Sequence, residues 1–185
     1  MKTKNIERYL ESFGKYVIKQ SRTNLSKAKK NVNKDLYNSL KFTVKKKKNS
    51  FSVNFFMADY GTFVDKGVSG DKQPQSYKDY KGKTKSSPYQ YTTKQPPSKA
   101  LDKWIVRRGI APRDDQGRFI SRKSIAFLIA RSIKKKGIKS TSFFQRPLEL
   151  GLKKFGKELL INVRKDVVNI LKGSISNDSM QQGGS

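Results

Sequence analysis

The sequence predicts an α+β fold with an N-terminal helix, a small antiparallel sheet, two middle helices, a long C-terminal helix and an extended arm. Three observations predict it. Apolar residues recur at intervals of three or four near both ends of the chain, which is the spacing of amphipathic helices. Over residues 40–58 the interval shortens to two, as in a strand with one buried face. Residues 69–99 contain no aliphatic side chain, so they offer little to a core.

The first helix is predicted over residues 4–20, where four apolar residues share one helical face. These are Ile6, Leu10, Phe13 and Val17. After a short polar stretch a second run continues the same spacing. Its apolar members are Leu25, Ala28, Val32, Leu36 and Leu40. The sequence alone leaves open whether the two runs form one long helix or two.

A β-hairpin is predicted over residues 40–58. On its second arm Phe51, Val53 and Phe55 occupy every other position, so one face of the arm is apolar. Asn49 and Ser50 separate the two arms, and both residue types are typical of turns. We therefore expect a two-stranded antiparallel sheet.

The arm over residues 69–99 is rich in Pro, Ser, Lys and Gly, and we expect it to be exposed. Four tyrosines alternate with its lysines: Tyr77, Tyr80, Tyr89 and Tyr91. Such a composition suits a subunit interface, because tyrosine gives contact area at low entropic cost and proline keeps the chain extended. It equally suits stacking on single-stranded bases. Both interpretations remain open at this stage.

Three further helices follow the arm. Leu101, Trp104 and Ile105 predict one that ends at Gly109, and residues 121–137 predict another that ends at Gly137. Both ends have a cation, a glycine and an isoleucine in succession, which is typical of a left-handed helix cap. The last helix is predicted from about Pro147 to about Leu171, because proline suits a first turn. We expect residues 1–173 to form a single domain and residues 174–185 to be a flexible tail.

Charge is the strongest compositional signal. The 185 residues include 42 Lys and Arg against 14 Asp and Glu, a formal net charge of +28. Self-repulsion on this scale favours a polyanionic partner, which is usually nucleic acid. The chain has no cysteine and no histidine, which excludes disulfides, thiolate metal sites and the commonest general base. A signal peptide and a membrane span are absent from the sequence pattern, so we expect a soluble protein that stays in the compartment where it is made.

Catalysis has little support in the sequence. Asp114 and Asp115 are the only adjacent acidic pair, and they lie in a turn with nearby proline and glycine. Carboxylates in such turns usually accept local backbone hydrogen bonds, although a pair of them can also serve a metal-dependent nuclease. No phosphate-binding glycine loop and no nucleophile elbow occur. We expect no enzymatic activity, no cofactor, no metal and no small-molecule substrate.

Two basic runs are candidates for DNA-facing residues. The first consists of Lys45, Lys46, Lys47 and Lys48, and the second of Lys134, Lys135 and Lys136. Successive strand residues point to both faces, so the first run also fits a solvated hairpin end that resists aggregation. The total charge exceeds what solubility asks of a small domain, which favours sequence-independent phosphate contact.

One stretch interrupts this charge. Residues 55–70 contain two aspartates and one lysine beside several aromatic residues. Gly61 and Gly67 permit tight turns there. The stretch predicts either an element that sits close to a neighbouring subunit or an ordinary turn that packs Phe63 and Val64 into the core.

The order of these segments resembles the tail-completion and minor tail proteins that join head to tail in bacteriophages. Two short elements carry the resemblance. The first is Tyr60, Phe63, Val64, Asp65 and Gly67, after the hairpin, and the second is Phe143, Phe144, Arg146, Pro147 and Leu148, at the start of the last helix. Glu149 and Leu150 depart from the small residues usual in the family, and residues 70–118 are longer than expected. The character of residues 124–140 resembles proteins of crAss-like phages.

The resemblance implies a structural component of the virion, assembled in the host bacterial cytoplasm. It would be a neck or connector protein that forms a closed ring, six- or twelve-fold, between portal and tail and around the DNA path. Its partners would be copies of itself, the portal and other neck proteins, and phage DNA held by non-specific electrostatics. The implied subunit interface includes both elements and the tyrosines of the arm, and Asp65 would pair with a neighbour's cation. The alternative is a non-specific nucleic-acid-binding protein, for which the charge alone argues.

Overall fold

The computed structural model describes residues 4–28, 34–47 and 50–181, with side chains described within these ranges from residue 5 to residue 168. The chain is α+β, as predicted. Its helices are α1 (Lys4–Lys27), α2 (Asp35–Ser39), α3 (Gly61–Lys66), α4 (Ser98–Arg107), α5 (Arg122–Lys136) and α6 (Gln145–Gln181). Its strands are β1 (Lys41–Lys46), β2 (Phe51–Phe56), β3 (Val68–Ser69), β4 (Ser76–Lys78), β5 (Thr84–Ser86) and β6 (Gly137–Ile138). They pair antiparallel as β1–β2, β3–β6 and β4–β5.

The N-terminal apolar runs form two helices. The helix α1 continues beyond the predicted end to Lys27, and the short α2 follows separately. Lys34, just before α2, has a left-handed backbone with φ of 58°, which breaks helical continuity at that point. Val32 lies outside the described residues. The sequence pattern left this point open because a helix and its interruption can share one apolar period.

The predicted hairpin is confirmed. Val44 pairs with Val53 and Phe42 with Phe55, so the apolar residues of both strands share one face. That face packs on α1, and Gly14 of α1 makes room for the Phe42 ring. Lys48 and Asn49, at the predicted turn, lie outside the described residues.

The main core lies between α1, the β1–β2 hairpin and the start of α6. We use this name for eight buried residues: Phe13, Val17, Ile18, Leu25, Leu36, Leu40, Phe143 and Phe144. The Phe55 ring meets the Phe144 ring edge to face, with 5.4 Å between centroids, and so joins the hairpin to the beginning of α6.

The α4–α5 core is smaller. It consists of Ile105, Ile125 and Ala126, with partly buried residues around them. The predicted cap of α4 is confirmed, because the N–H of Ile110 donates to the Ile105 carbonyl and the N–H of Gly109 to the Val106 carbonyl. Gly109 has a φ of +63°, which completes a Schellman motif.

The helix α6 extends ten residues past its predicted end at Leu171, to Gln181. This extension contains no proline, and Gly173 is its only glycine, so the sequence has no strong helix terminator there. The prediction ended near Leu171 because the helical spacing of apolar residues in the sequence ends there. Residues 182–185 lie outside the described residues.

Candidate subunit interface

The nearly neutral stretch after the hairpin forms α3, which two glycines hold in place. A Cβ on Gly61 would come within 2.7 Å of the Met57 sulfur. Gly67 has a φ of +74°, and a Cβ there would come within 2.7 Å of the Ile138 carbonyl oxygen. The predicted tight turn is therefore a single short helix pressed against β6.

Asp65 points inward from α3, and it caps α6. Its Oδ1 accepts hydrogen bonds from the N–H groups of Phe144 (2.8 Å) and Gln145 (3.3 Å). The carboxyl group is only 2% exposed. The expectation that Asp65 pairs with a neighbour's cation is therefore corrected, because its hydrogen bonds lie within its own chain.

The environment of Asp65 also changes its proton affinity. Burial raises the pKa of this carboxyl above its ordinary value, and the N–H groups of Phe144 and Gln145 act in the opposite direction without overcoming it. The cap thus combines a favourable contact with a costly desolvation of its charge.

The outer face of α3 is aromatic and open. Tyr60 is 45% exposed and Phe63 is 42% exposed. The Phe63 ring meets the Tyr89 ring of the arm edge to face, at 4.5 Å between centroids. This contact unites the two sets of aromatic residues that the sequence had indicated separately.

Most of the arm is exposed, as expected, and it is ordered against the rest of the chain, which the sequence had left open. Its strands β4 and β5 form a hairpin, and Gln90 bridges to Ser69 as a parallel partner. Ser69 donates its N–H to the Tyr89 carbonyl at 2.7 Å and accepts from the Tyr91 N–H at 2.8 Å. Backbone hydrogen bonds, rather than apolar side chains, fix the arm in place, so hydrophobic periodicity could not reveal it.

The arm also caps the end of α5. The N–H of Asp71 donates to the Lys134 carbonyl at 2.9 Å, and the N–H of Lys72 donates to the Lys135 carbonyl at 3.1 Å. The side-chain amide of Gln75 donates to the Lys136 carbonyl. These bonds satisfy carbonyl groups that a helix end leaves without internal partners.

An aromatic groove results where α3, the arm and β6 meet. Its volume is about 640 Å³. Its main lining residues are Tyr60, Phe63, Val64, Val68, Tyr89, Tyr91 and Ile138. We call this surface the aromatic groove. Burial of the Tyr60 hydroxyl and the nearby Asp35 raise the pKa of Tyr60, so the groove carries no phenolate charge near neutral pH.

The two remaining tyrosines of the arm do not line the groove. Tyr77 is half-buried on β4, with the Lys66 ammonium 5.8 Å from its ring centroid. Tyr80 is exposed at the turn between β4 and β5, and its N–H donates to the Gln145 side chain. They lie outside the surface that Tyr89 and Tyr91 share with α3.

The second element of the resemblance is internal. Phe143, Phe144 and Pro147 are buried, and Leu148 packs against the main core. Their place in a subunit interface is corrected, because in this fold their side chains fill the space between α1 and α6. The apolar pattern indicated burial correctly, but it does not distinguish a neighbour from the chain's own core.

Further apolar residues are exposed on two other parts of the fold, and the sequence analysis did not predict their exposure. On α4, α5 and the loop that joins them they are Trp104, Val106, Phe119, Phe127 and Leu128. On α6 they are Leu150, Leu152, Leu160, Ile161, Val163, Val167 and Val168, and Leu160 is 72% exposed. A signal was available, since three consecutive apolar residues at 159–161 cannot all face one neighbour on a helix.

The predicted DNA-facing lysines lie on different elements. Lys45 and Lys47 are exposed at the end of β1, whereas the Lys46 ammonium lies 3.5 Å from Glu7. Lys48 lies outside the described residues. On α5, Lys134 donates to the Thr93 carbonyl at 2.9 Å, and Lys135 and Lys136 are exposed.

Asp114 behaves as a turn residue. Its carboxylate accepts from the N–H groups of Gln116 and Arg118 and pairs with the Arg118 guanidinium at 3.1 Å. The N–H of Arg118 is the main reason that the pKa of Asp114 lies below its ordinary value. Within the described ranges no three His, Cys, Asp or Glu residues gather as metal ligands.

Comparisons with family models, with curated proteins and with solved structures find no match for this chain. The resemblance to phage connector proteins therefore stays a prediction. Among the described helices, none is both long enough and apolar enough to cross a membrane.

Proposed function

We propose that this chain is a ring-forming connector, or tail-completion, protein of a bacteriophage neck, which joins portal to tail and surrounds the DNA path. The observation that carries the proposal is the presence of two unlike apolar surfaces on one subunit. One is the concave aromatic groove, and the other consists of the exposed apolar residues on α4 and α5 together with those on α6. Large exposed apolar patches and grooves mark interaction sites.

Two unlike surfaces favour a heterologous contact, in which one face of a subunit meets a different face of the next. Such contacts generate a ring when the rotation between subunits closes. A six- or twelve-fold ring with the portal and other neck proteins as neighbours fits this arrangement. The same proposal places the ring in the neck of the virion.

Charge supports the choice of the groove as the contact. With +28 on each chain, subunits repel one another unless they meet where the charge is low. Residues 55–70 carry two aspartates and one lysine, and Asp65 is buried, so the exposed part of this stretch is nearly neutral. A basic neighbour can therefore approach α3 without the repulsion that other parts of the surface would impose.

A second candidate function is non-specific nucleic-acid binding by a subunit that forms no ring. The total charge favours it, because phosphate contacts by many lysines need no assembly. It differs from the connector in one measurable respect, the state of association without DNA.

Sedimentation velocity at low and high salt, with and without a short DNA duplex, tests the proposal. The connector predicts discrete closed multiples of 21.2 kDa without DNA. The double variant Tyr60→Ser/Phe63→Ser should sediment as a monomer. The control double variant Phe56→Ser/Tyr80→Ser removes equally exposed aromatic residues outside the groove and should assemble normally.

A wild-type chain that stays monomeric with and without portal protein, and binds duplex DNA less tightly as salt rises, would overturn the connector in favour of the second candidate. Equal loss of assembly in both double variants would overturn the assignment of the groove as the contact.

A further inference from the structure

A second groove lies where α1 meets the segment that joins α2 to β1. Its volume is about 760 Å³. Four cations line it: Lys15, Lys19, Arg22 and Lys41. Thr23, Ser26 and Tyr37 are also in its wall, and none of the described residues that line it is acidic. We call this surface the basic groove.

Arg22 is the fixed part of the basic groove. Its Nε donates to the Tyr37 carbonyl at 3.1 Å, and its Nη2 donates to the Leu40 carbonyl at 3.0 Å. Its guanidinium carbon lies 5.0 Å from the centroid of the Tyr37 ring. These contacts use two of the five N–H donors of arginine and hold the plane of the group still. A guanidinium held in this way loses little entropy when it binds an oxyanion.

The lysines extend the charge along a line. Lys15, Lys19 and Arg22 follow one helical face at intervals of four and three residues. At 1.5 Å per residue they span about 10 Å, which matches about three phosphates of one DNA strand at 3.4 Å of rise each. Lys41 adds a cation from β1. A row of this length suits a polyanion better than a single small anion.

Both aromatic rings among the described residues that line the groove are already covered. The Tyr37 ring carries the Arg22 guanidinium, and Phe42 packs against the main core, so neither ring is placed to stack on a base. Contact with phosphates alone positions a protein on a duplex without reading its sequence.

We propose that the basic groove binds the phosphodiester backbone of duplex DNA, with Arg22 as its fixed contact. The inference deepens the proposed function and rests on it, because it assigns the surface that would face the DNA path of a connector. It also replaces the two lysine runs as the principal contact. Those runs lie on separate elements, whereas the four cations of the basic groove line one groove. Lys46 and Lys134 have partners within the chain, and so does Lys15, whose ammonium lies 3.9 Å from Glu11.

Fluorescence anisotropy with a labelled 20-base-pair duplex tests the inference over a series of salt concentrations. The groove variant is Lys15→Gln/Lys19→Gln/Lys41→Gln. The matched control is Lys45→Gln/Lys135→Gln/Lys136→Gln, which removes the same three charges from the predicted runs. We expect the groove variant to raise the Kd at least about tenfold and to lower the slope of log K against log salt by about 3 × 0.9. We expect the control to change the Kd less than about threefold, because scattered exposed lysines hold few phosphates in fixed register. Equal effects of the two variants would overturn the inference.

The variant Arg22→Lys separates geometry from charge, because it keeps the charge but loses the planar fork. We expect a several-fold higher Kd with an unchanged salt slope, at a melting temperature that confirms folding. An unchanged Kd would overturn the role of Arg22 as the fixed contact. Competition by inorganic phosphate at a concentration equal to that of the duplex phosphates, or tighter binding of phosphatidylserine vesicles than of duplex, would overturn DNA as the source of the phosphate.

Sedimentation of the same samples distinguishes this inference from the proposed function. If the groove variant forms normal rings and keeps its DNA affinity, the basic groove is not the DNA contact, but the proposed connector function stands. A monomeric wild-type chain whose DNA affinity falls in the groove variant would overturn the connector alone.

Discussion

The main core and the α4–α5 core differ in how completely they cover their own apolar residues. Three layers enclose the main core, and its eight residues are buried. Two helices and the loop between them enclose the α4–α5 core, and Trp104, Phe127 and Leu128 remain outside it. Two packed helices bury one stripe each, so apolar residues on the remaining faces need a third layer. If the chain binds a partner, we expect the partner to cover the region around α4 and α5 rather than the well-packed one.

The largest expected effect is in the main core. Phe143 is 0% exposed, and Phe143→Ala should lower the free energy of unfolding by about 3–5 kcal/mol, since a ring-sized cavity remains. Urea denaturation measures it. Phe119→Ala is the matched control, because Phe119 is 66% exposed and should change stability by no more than about 0.5 kcal/mol. Equal losses in the two variants would contradict the position of the main core.

The variant Ile105→Ala tests the second core. We expect a loss of about 2–5 kcal/mol that is confined to residues 98–136. Native-state hydrogen exchange should show faster exchange of the amides of α4 and α5 and unchanged exchange in α1. Equal acceleration in α1 would break the comparison, because the two cores would then unfold as one unit.

Asp65 gives the next largest effect. Asp65→Ala removes the cap of α6 and should cost about 1–2 kcal/mol in urea denaturation. Asp114→Ala, in an exposed turn, is the control and should cost less. A loss of stability for Asp114→Ala larger than that for Asp65→Ala would contradict the importance of the α6 cap.

The pH dependence of the same site has a defined sign. Because burial raises the folded-state pKa of Asp65, its contribution to stability is fully present below the unfolded pKa and is lost as pH rises through the folded pKa. The neutral Asp65→Asn variant lacks this titration. We expect the free energy of unfolding of the wild type to fall relative to that of the Asn variant as pH rises from about 4. A difference that moves in favour of the wild type over the same range would show that the hydrogen bonds outweigh burial.

The smallest effect is expected at the exposed apolar surface. Leu128→Gln should change the free energy of unfolding by no more than about 0.5 kcal/mol, because the side chain has little to lose on the surface and glutamine suits a helix. Self-association measured by sedimentation should nevertheless weaken. A loss of stability as large as that of Ile105→Ala would mean that Leu128 belongs to a core within the chain.

Local patterns were sufficient for much of the fold. The hairpin and the Schellman end of α4 depend on residues close in sequence, and both were predicted. The ordered structure of the arm was not predicted. It comes from backbone hydrogen bonds such as that between Ser69 and Tyr89, which no side-chain pattern records.

The candidate site was predicted in part for a related reason. Tyr60, Phe63, Tyr89 and Tyr91 were all named from the sequence, but their convergence on one groove depends on how the arm folds back. Asp65 was assigned to a neighbour because its true partners lie about eighty residues away. Periodicity indicates which face of an element is apolar, and it leaves open whether the same chain or another one covers that face.

The first turn of α1 depends on a residue far along the chain. Asp166 accepts from the Asn5 side chain at 2.7 Å and from the Ile6 N–H at 3.1 Å, across separations of 161 and 160 residues. Because translation proceeds from α1 toward α6, this cap cannot form until residue 166 has left the ribosome. The contact closes a long loop, which adds an entropic cost to its formation. A nascent chain that has not reached residue 166 therefore lacks the cap on the first turn of α1.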